Sequence, residues 1–566
     1  MGVTAAICKL QEPTEENAQD FMPWPELFQF ISSATTDASP EARELSFLLM
    51  TEITDTIGTF LTTQFSQMAQ LFHACMTNQQ EQPKVKIAAI KALGGLMGFL
   101  SDAPEVDIFC NLIPSLLQCS VECQKRNDEE TVSQILDVLY ELAYSPSQMV
   151  STHLPSIVNF SLGVMRDGNI EMAIRDSAAL VVATLSESKP KTFGKDTALL
   201  ATVLESIFSL IENSEECSAG ALFQSNPAWR EDADNDYDPE DDNDAATETS
   251  MAQGTLDMLA CEIPKKFIFQ PVVTMCVNRF SSPDEKHRKA GIACLGVIAE
   301  GCSEPLREHL PELIPYVLQA ADDSSSAVRE CACFALGQLS EHCQPEILDY
   351  SQQVLPVAFK LLDDSTVAVQ ATSCYVLEMF CERLEPENVR PFLDPLVKKL
   401  ASMLETTSKR SVQEMTVAAL AATAVAAEEE FAPYVGGVAT LMAKLMTITD
   451  EKIFSLRGRA LECMGHMAIA VGKDSFRPYF ASTMECACEG LTFDSTELHE
   501  FAYAVFANLA KVMQEEFSPC LPQLIPHLLD VLRQDDGLLE KQLAENQVCH
   551  QLTKLLSFFP YHVLNC

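Results

Sequence analysis

The sequence predicts an all-α protein of the HEAT/armadillo type, an α-solenoid built as a superhelical stack of helix pairs. Three observations carry that expectation. Hydrophobic residues make up 47% of the 566-residue chain but aromatics only 7%, a mix that favours helices packed on helices. The chain resembles itself at steps of mostly 41–47 residues, the period of two-helix repeats. Each step holds a short apolar helix, an acidic turn and a longer apolar helix.

The repeat shows most clearly where "LPELIPYVLQAADDSSSAVRECACFALGQLSEHC" (310–343) is set against "VLPVAFKLLDDSTVAVQATSCYVLEMFCERL" (354–384). Asp322 precedes Arg329 by seven residues, Asp363 precedes Gln370 by seven, and Asp450 precedes Arg457 by seven. Pro315 and Pro356 each stand fourteen residues before their anchor. Extending the anchor along the chain gives Arg43, Lys86, Ser133, Arg175, Arg288, Arg329, Gln370, Gln413, Arg457 and His499. The gap from Arg175 to Arg288 leaves room for one more unit and an insertion. An apolar stripe such as Ala332, Phe334, Ala335, Leu336 and Leu339 recurs at helical spacing. One pair cannot bury that stripe alone, so neighbours stack. An Asp before the second helix is placed to cap it, and an anchor Arg to pair with the Asp of an adjacent unit.

These signals divide the chain into a weakly patterned segment (1–23), a first block of repeats ending with the first helix of a fifth unit (24–225), an acidic insertion (226–250), a second block (251–533) and an atypical tail (534–566). A second helix is expected at 245–263. Both ends read as cut, because solenoids close with polar capping units.

Charge narrows the function. The formal net charge is −43, from 81 acidic and 38 basic residues. Nucleic acid is repelled by such a field, and so is an anionic membrane surface; basic proteins are drawn in. The longest apolar run, "VAALAATAVAA" (417–427), is too short and too alanine-rich to span a bilayer. The 21 cysteines follow no disulfide framework or secretory signal, which reads as a reducing compartment.

Chemical motifs are weak. Cys331, Cys333 and Cys343 near His342, and Cys486 with Cys488, invite a zinc reading. Yet Cys294 and Cys463 lie six residues past their anchors, and Cys333 and Cys374 four past, which marks core slots. No metal site is expected. "AVGKDS" (470–475) has Asp474 where a phosphate loop needs Ser or Thr. No zinc-protease or hydrolase motif is present, so no catalytic residue, no enzyme activity and no cofactor are expected.

The densest feature is "WREDADNDYDPEDDNDAATETS" (229–250). Nine of the fourteen residues from Glu231 to Asp244 are acidic. Asp232, Asp234, Asp236 and Asp238 alternate as in a calcium loop, but Tyr237 stands where Gly is required and Asn243 where Glu is required. Two readings stay open: a solvated, disordered insertion, or an electrostatic tether for a basic partner.

At this point "NPAWREDADNDYDPEDDNDAATETSMAQGTLDMLACEIPKK", "HRKAGIACLGVIAEGCSEPL" (287–306), "VRECACFALGQLSEHCQPEILDYSQQVLP" (328–356), "ALAATAVAAEEEFAPYVGGV" and "AVGKDSFRPYF" together resemble, in order, the importin-β (karyopherin-β) family, importin-4 type. The resemblance covers roughly residues 24–533. It implies a nuclear import receptor that shuttles between cytoplasm and nucleus. It implies basic cargo (histones and ribosomal proteins), contacts with Phe-Gly nucleoporins, and cargo release by the GTPase Ran. It assigns a cargo- and Ran-contacting role to Glu231, Asp232, Asp234, Asp236, Asp238, Glu240, Asp241, Asp242 and Asp244, with Trp229 beside them to pack on Lys or Arg stems. Family members are much longer, so N-terminal Ran-binding repeats and a C-terminal arch are expected outside this chain. The competing reading is a HEAT scaffold for a multi-subunit complex such as a phosphatase, without transport activity.

Overall fold

A computed structural model describes residues 25–61, 65–97, 99, 106–124, 126–145, 148–214 and 247–534. Among them every regular element is a helix. They fall into two compact units: unit 1 comprises 25–214, 247–277 and 300–302, and unit 2 comprises 278–299 and 303–534.

In unit 1 the first and second helices of successive pairs are α1 (Pro25–Ala34) and α2 (Pro40–Leu61), then α3 (Phe65–Thr77) and α4 (Pro83–Met97). Next come α5 (Val106–Cys110) and α6 (Ile113–Gln124) before α7 (Glu129–Tyr144), then α8 (Met149–Arg166) and α9 (Met172–Ser188). After α10 (Pro190–Lys195), α11 (Thr197–Asn213) pairs with α12 (Glu248–Glu262), which begins three residues later than the sequence pattern indicates. The helix α13 (Lys265–Phe280) follows. Asp128 and Asp196 accept hydrogen bonds from Thr131 N and Leu199 N at the starts of α7 and α11, and Thr247 and Ser250 form a capping box at α12.

Unit 2 contains α14 (Glu285–Val297), α15 (Ser303–Ala320), α16 (Ser326–His342), α17 (Ser351–Leu361) and α18 (Val367–Cys381). It continues with α19 (Pro386–Thr406), α20 (Arg410–Ala427), α21 (Val435–Leu445), α22 (Phe454–Gly490), α23 (Thr496–Met513) and α24 (Leu521–Gln534).

Each unit has the same internal logic: second helices pack directly on one another. The order is α2, α4, α7, α9, α12 in unit 1 and α14, α16, α18, α20, α22, α23 in unit 2. Small residues permit the approach. A Cβ on Gly337 would lie 2.1 Å from the Tyr375 ring, and one on Gly458 would lie 2.0 Å from Phe501. The recurring cysteines fill the same seam: Cys294, Cys331, Cys333, Cys374 and Cys463 are fully buried. Burial pushes the Cys374 thiol up to about 12, so it behaves as a small apolar side chain.

Six of the ten anchors share one job. The side chain reaches back six residues to a carbonyl of its own turn. Arg43 Nη1 donates to Asp37 O (2.6 Å), Arg288 to Ser282 O (2.9 Å), Arg329 to Asp323 O (2.9 Å), Gln370 Nε2 to Asp364 O (2.6 Å) and Gln413 to Thr407 O (3.1 Å). His499 Nε2 lies 2.7 Å from Phe493 O. Any long donor serves. Arginine does more, because its remaining nitrogens pair with the next unit: Arg288 with Asp323 and Arg329 with Asp364, both bidentate at 2.7 and 2.9 Å, and Arg43 with Glu81. Mutual pairing holds both aspartates below the usual carboxylate range. The acid that joins the ladder is thus the second of each Asp-Asp pair, and it braces its own turn by accepting from Ser325 N or Thr366 N rather than capping the helix. The first, Asp322 or Asp363, pairs with Lys360 or Lys399 of the following first helix, an exposed contact of ~0–1 kcal/mol. Arg457, fully buried, donates instead to the carbonyls of Ile448 and Cys486 and to Glu489.

"AVGKDS" marks a hinge. The long helix α22 is two helices joined at a kink, where Gly472 has φ +73° and ψ 176°, a conformation open essentially to glycine alone. The chain turns there from a second helix into the next first helix. At the equivalent junctions of the flanking units Glu428 (φ 47°) and Gln514 (φ 53°) take the positive φ without being glycine. Gly472→Ala is therefore expected to lower stability by about 1–3 kcal/mol, although the added methyl meets no atom within 4 Å. Glu428→Gly is expected to raise it by up to ~1 kcal/mol. Urea unfolding midpoints of the two variants check both signs.

Candidate functional site

The nine acids Glu231, Asp232, Asp234, Asp236, Asp238, Glu240, Asp241, Asp242 and Asp244, with Trp229, lie outside the described residues. What the structure does fix is where that segment departs and returns. Ser214 ends α11 and Thr249 sits in the first turn of α12, and the Thr249 hydroxyl donates to Ser214 Oγ at 2.6 Å in a buried contact. Arg175, the anchor of α9, clamps the far side by pairing with Glu248 at 2.6 Å. The repeat is closed beneath the insertion, which is tied into unit 1 at both roots.

Unit 2 carries a second acidic feature that the sequence reading did not single out. Stacking buries most of each second helix, so the line of residues facing solvent holds whatever polar chemistry the row presents. Along that line α16 contributes Glu341, α18 Glu378, the turn after it Glu382 and Arg383, α22 Glu462 and Arg459, and α23 Glu497 and Glu500; Glu414 and Arg410 of α20 are buried against them. These groups sense one another electrostatically.

The centre of the group is Glu378, whose side chain is 18% exposed. Burial pushes its carboxyl up to about 7, and Glu462, Glu382 and Glu341 push the same way against the single attraction of Arg459. Glu382 and Glu497 are raised too, again chiefly by burial. Arg459 Nη1 lies 3.9 Å from Glu378 Oε1, although α20 stands between α18 and α22. Between these helices α20 carries a run of small buried side chains, Ala418, Ala421 and Ala422 among them. Tyr375, packed flat against Gly337, accepts from Gln338 Nε2 (2.7 Å) and donates to Glu341 (3.3 Å), fixing the near edge. Arg410 and Ser455 both bond Glu414 and steady the far side.

Chemically the group is a short-range sink for cations. Among the described residues no group of three or more His, Cys, Asp or Glu side chains is placed to hold a metal ion. Among the same residues no helix is long and apolar enough to cross a membrane.

Comparison with known proteins places the architecture. Residues 3–160 match a family model described as "IPO5-like, TPR repeats", and residues 285–339 one described as "HEAT-like repeat". The chain is 24% identical over 555 residues to probable importin subunit beta-4 of Schizosaccharomyces pombe, covering 98% of this chain and 49% of that protein. It is 27% identical over 532 residues to human importin-4, covering 91% and 47%. The solved structure of the karyopherin Kap121p bound to the SUMO protease Ulp1p superposes with a TM-score of 0.74 at 22% identity, over 92% of this chain and 50% of that one. Kap121p bound to Nup53p superposes at 0.73. The fold and the repeat order are those of a karyopherin solenoid. Over nearly its whole length the chain is similar to importins of the β type. It spans about half the length of the curated relatives it matches.

The raised Glu378 carboxyl has a consequence for stability. Its folded value, about 7, lies above the ordinary 4.5, so the folded state keeps a proton that the unfolded chain releases. That contribution is complete below about pH 4.5 and is lost as pH rises through 7. Glu378→Gln stays neutral throughout. Its stability relative to the parent is expected to be about 2 kcal/mol more favourable at pH 8 than at pH 5, read from unfolding midpoints at the two pH values.

Proposed function

We propose that this chain serves a nuclear import receptor by capturing Lys- and Arg-rich segments of cargo, histones and ribosomal proteins among them, on the glutamate line of unit 2. The observation that carries the reading is the imbalance on that line: Glu341, Glu378, Glu382, Glu462, Glu497 and Glu500 stand against Arg383 and Arg459, and the Glu378 carboxyl is raised to about 7 by burial first and by neighbouring glutamates besides. An arriving ammonium or guanidinium supplies the missing charge, and an extended segment places successive cations along successive helices. Affinity then comes from several moderate pairs rather than from one pocket.

In this reading the insertion tied at Ser214 and Thr249 acts as a tether. Its acids from Glu231 to Asp244 raise the local concentration of basic cargo, and Trp229 packs on the aliphatic stems of Lys or Arg. Ran-GTP competes for the tether and releases cargo in the nucleus, so the receptor shuttles between cytoplasm and nucleus. Passage through the pore uses Phe-Gly nucleoporins. The groove between first helices α6 and α8 suits a phenylalanine ring: it encloses about 620 Å³ and is lined by Pro114, Leu117, Val121, Phe160 and Gly163. Support comes from the karyopherin relatives and from a solved neighbour in complex with Nup53p. A pure scaffold reading gives the glutamate line no work.

The test is fluorescence anisotropy of a lysine-rich histone-tail peptide. Glu341→Gln, Glu378→Gln and Glu462→Gln together are expected to weaken binding roughly tenfold or more at low salt. Neutralising the nine insertion acids to Asn and Gln is expected to weaken it further without lowering the unfolding midpoint. Binding of the parent is expected to fall steeply with salt, since exposed charges are screened beyond ~8 Å at physiological ionic strength. Equal affinities for parent and both variants at low salt would remove the proposal.

A further inference from the structure

The cysteines that do not fill the seam mark a place of their own. Among the described residues every cysteine is buried except Cys261, Cys486, Cys488 and Cys520. Cys488 lies on the part of α22 that follows Gly472, and Cys520 is the residue before α24. These are first-helix segments of neighbouring repeats within unit 2, and both cysteines line one cavity of about 490 Å³ between them. Met484, one turn before Cys488 and itself buried, lines it as well. Three sulfur-bearing side chains from two repeats thus wall the same space.

The two walls are held in register. Arg477 donates to both carboxylate oxygens of Glu516, at 3.1 and 2.9 Å, and Lys473 pairs with the same carboxylate at 3.0 Å. Phe480 meets Phe517 with ring centres 6.3 Å apart, three residues before Cys520. None of the residues that line the cavity is Lys, Arg or His, while Glu485 and Glu489 stand at it and steer cations toward its mouth. Burial raises both thiols, and Cys520 raises Cys488 further. The pair therefore stays protonated until a cation takes the place of the protons. Cys486, two residues from Cys488, lines no part of this cavity and senses Arg457 instead.

We infer that this cavity binds a soft monovalent cation, Cu(I), with the Cys488 and Cys520 thiolates as ligands and the Met484 thioether beside them. Thiolate and thioether sulfur select such an ion. Zinc takes three or four protein ligands, and among the described residues no group of three or more His, Cys, Asp or Glu side chains stands together; Cu(I) is satisfied by two sulfurs. As each sulfur–copper bond forms, the thiol passes its proton to solvent, so binding releases two protons and leaves a bis-thiolate complex of single negative charge. The bound ion bridges first-helix segments of neighbouring repeats. The cavity shares no residue with the glutamate line, and the inference does not rest on cargo binding there.

Anaerobic titration of the full chain with Cu(I), in competition with a chromophoric Cu(I) chelator, tests it. Every sample carries Cys8→Ser, Cys217→Ser, Cys549→Ser and Cys566→Ser, since these thiols lie outside the described residues. This reference chain is expected to bind one Cu(I) about a hundredfold tighter than the variant that adds Cys488→Ser and Cys520→Ser. Each of those two substitutions alone is expected to remove the tight site as well, because the complex needs both thiolates. Met484→Leu keeps the volume without the thioether and is expected to weaken binding about tenfold. Cys486→Ser is expected to change nothing. Unfolding midpoints without copper, matched between reference and variants, show that the fold is kept. Tight binding that survives the loss of Cys488 and Cys520, or that is lost equally in Cys486→Ser, would overturn the inference.

Discussion

The close approach of successive second helices is the constraint on which the rest of this structure depends. It demands small side chains where one helix meets the next, and the sequence supplies Gly296 against Phe334, Gly337 against Tyr375 and Gly458 against Phe501. A methyl at any of these would fall within 3 Å of a neighbour's ring, and a ring in a close-packed seam has little room to move. Alanine and buried cysteine occupy the positions between. Hydroxyls such as those of Ser340, Ser373 and Thr423 stay in the seam by bonding backbone carbonyls, and the charged groups gather mainly in the turns, where the anchor donors and the Arg–Asp pairs set the register, and along the line facing solvent.

That line is a surface the repeat can vary freely, and the proposed cargo site lies on it. In unit 2 it accumulates carboxylates until their own repulsion and partial burial hold Glu378 near neutrality. A solenoid can vary this line without disturbing its seam, since each unit contacts only its neighbours.

Much of the fold was legible from residues alone, for a physical reason: the seam and the turn repeat together. The anchor could be followed because six of its members, Arg43, Arg288, Arg329, Gln370, Gln413 and His499, reach the carbonyl six residues back, while Lys86, Ser133, Arg175 and Arg457 keep the spacing without that bond. The pairing of Arg288 and Arg329 with the following unit was legible as well, though not that the second aspartate of each pair takes it. The glutamate line was not legible. On a single helix Glu378 and Glu382 read as an ordinary solvated face. Their meaning arises from Glu341 one unit before and from Arg459 and Glu462 two units after, brought within reach across α20. Gly472 was equally hidden, since one glycine inside a helical pattern does not announce a positive φ. The acidic insertion stood out by composition, and the structure adds the closed roots at Ser214 and Thr249.

Proton release on binding tests the central claim most directly. If a basic segment seats its cations on the glutamate line, it lowers the Glu378 carboxyl from about 7 and expels the proton that group holds. Calorimetric titration of a lysine-rich peptide at pH 7, repeated in buffers of different ionisation enthalpy, should show net release of a fraction of one proton per peptide, and the release should vanish in Glu378→Gln. An enthalpy independent of buffer in the parent chain, with tight binding retained, would contradict the account.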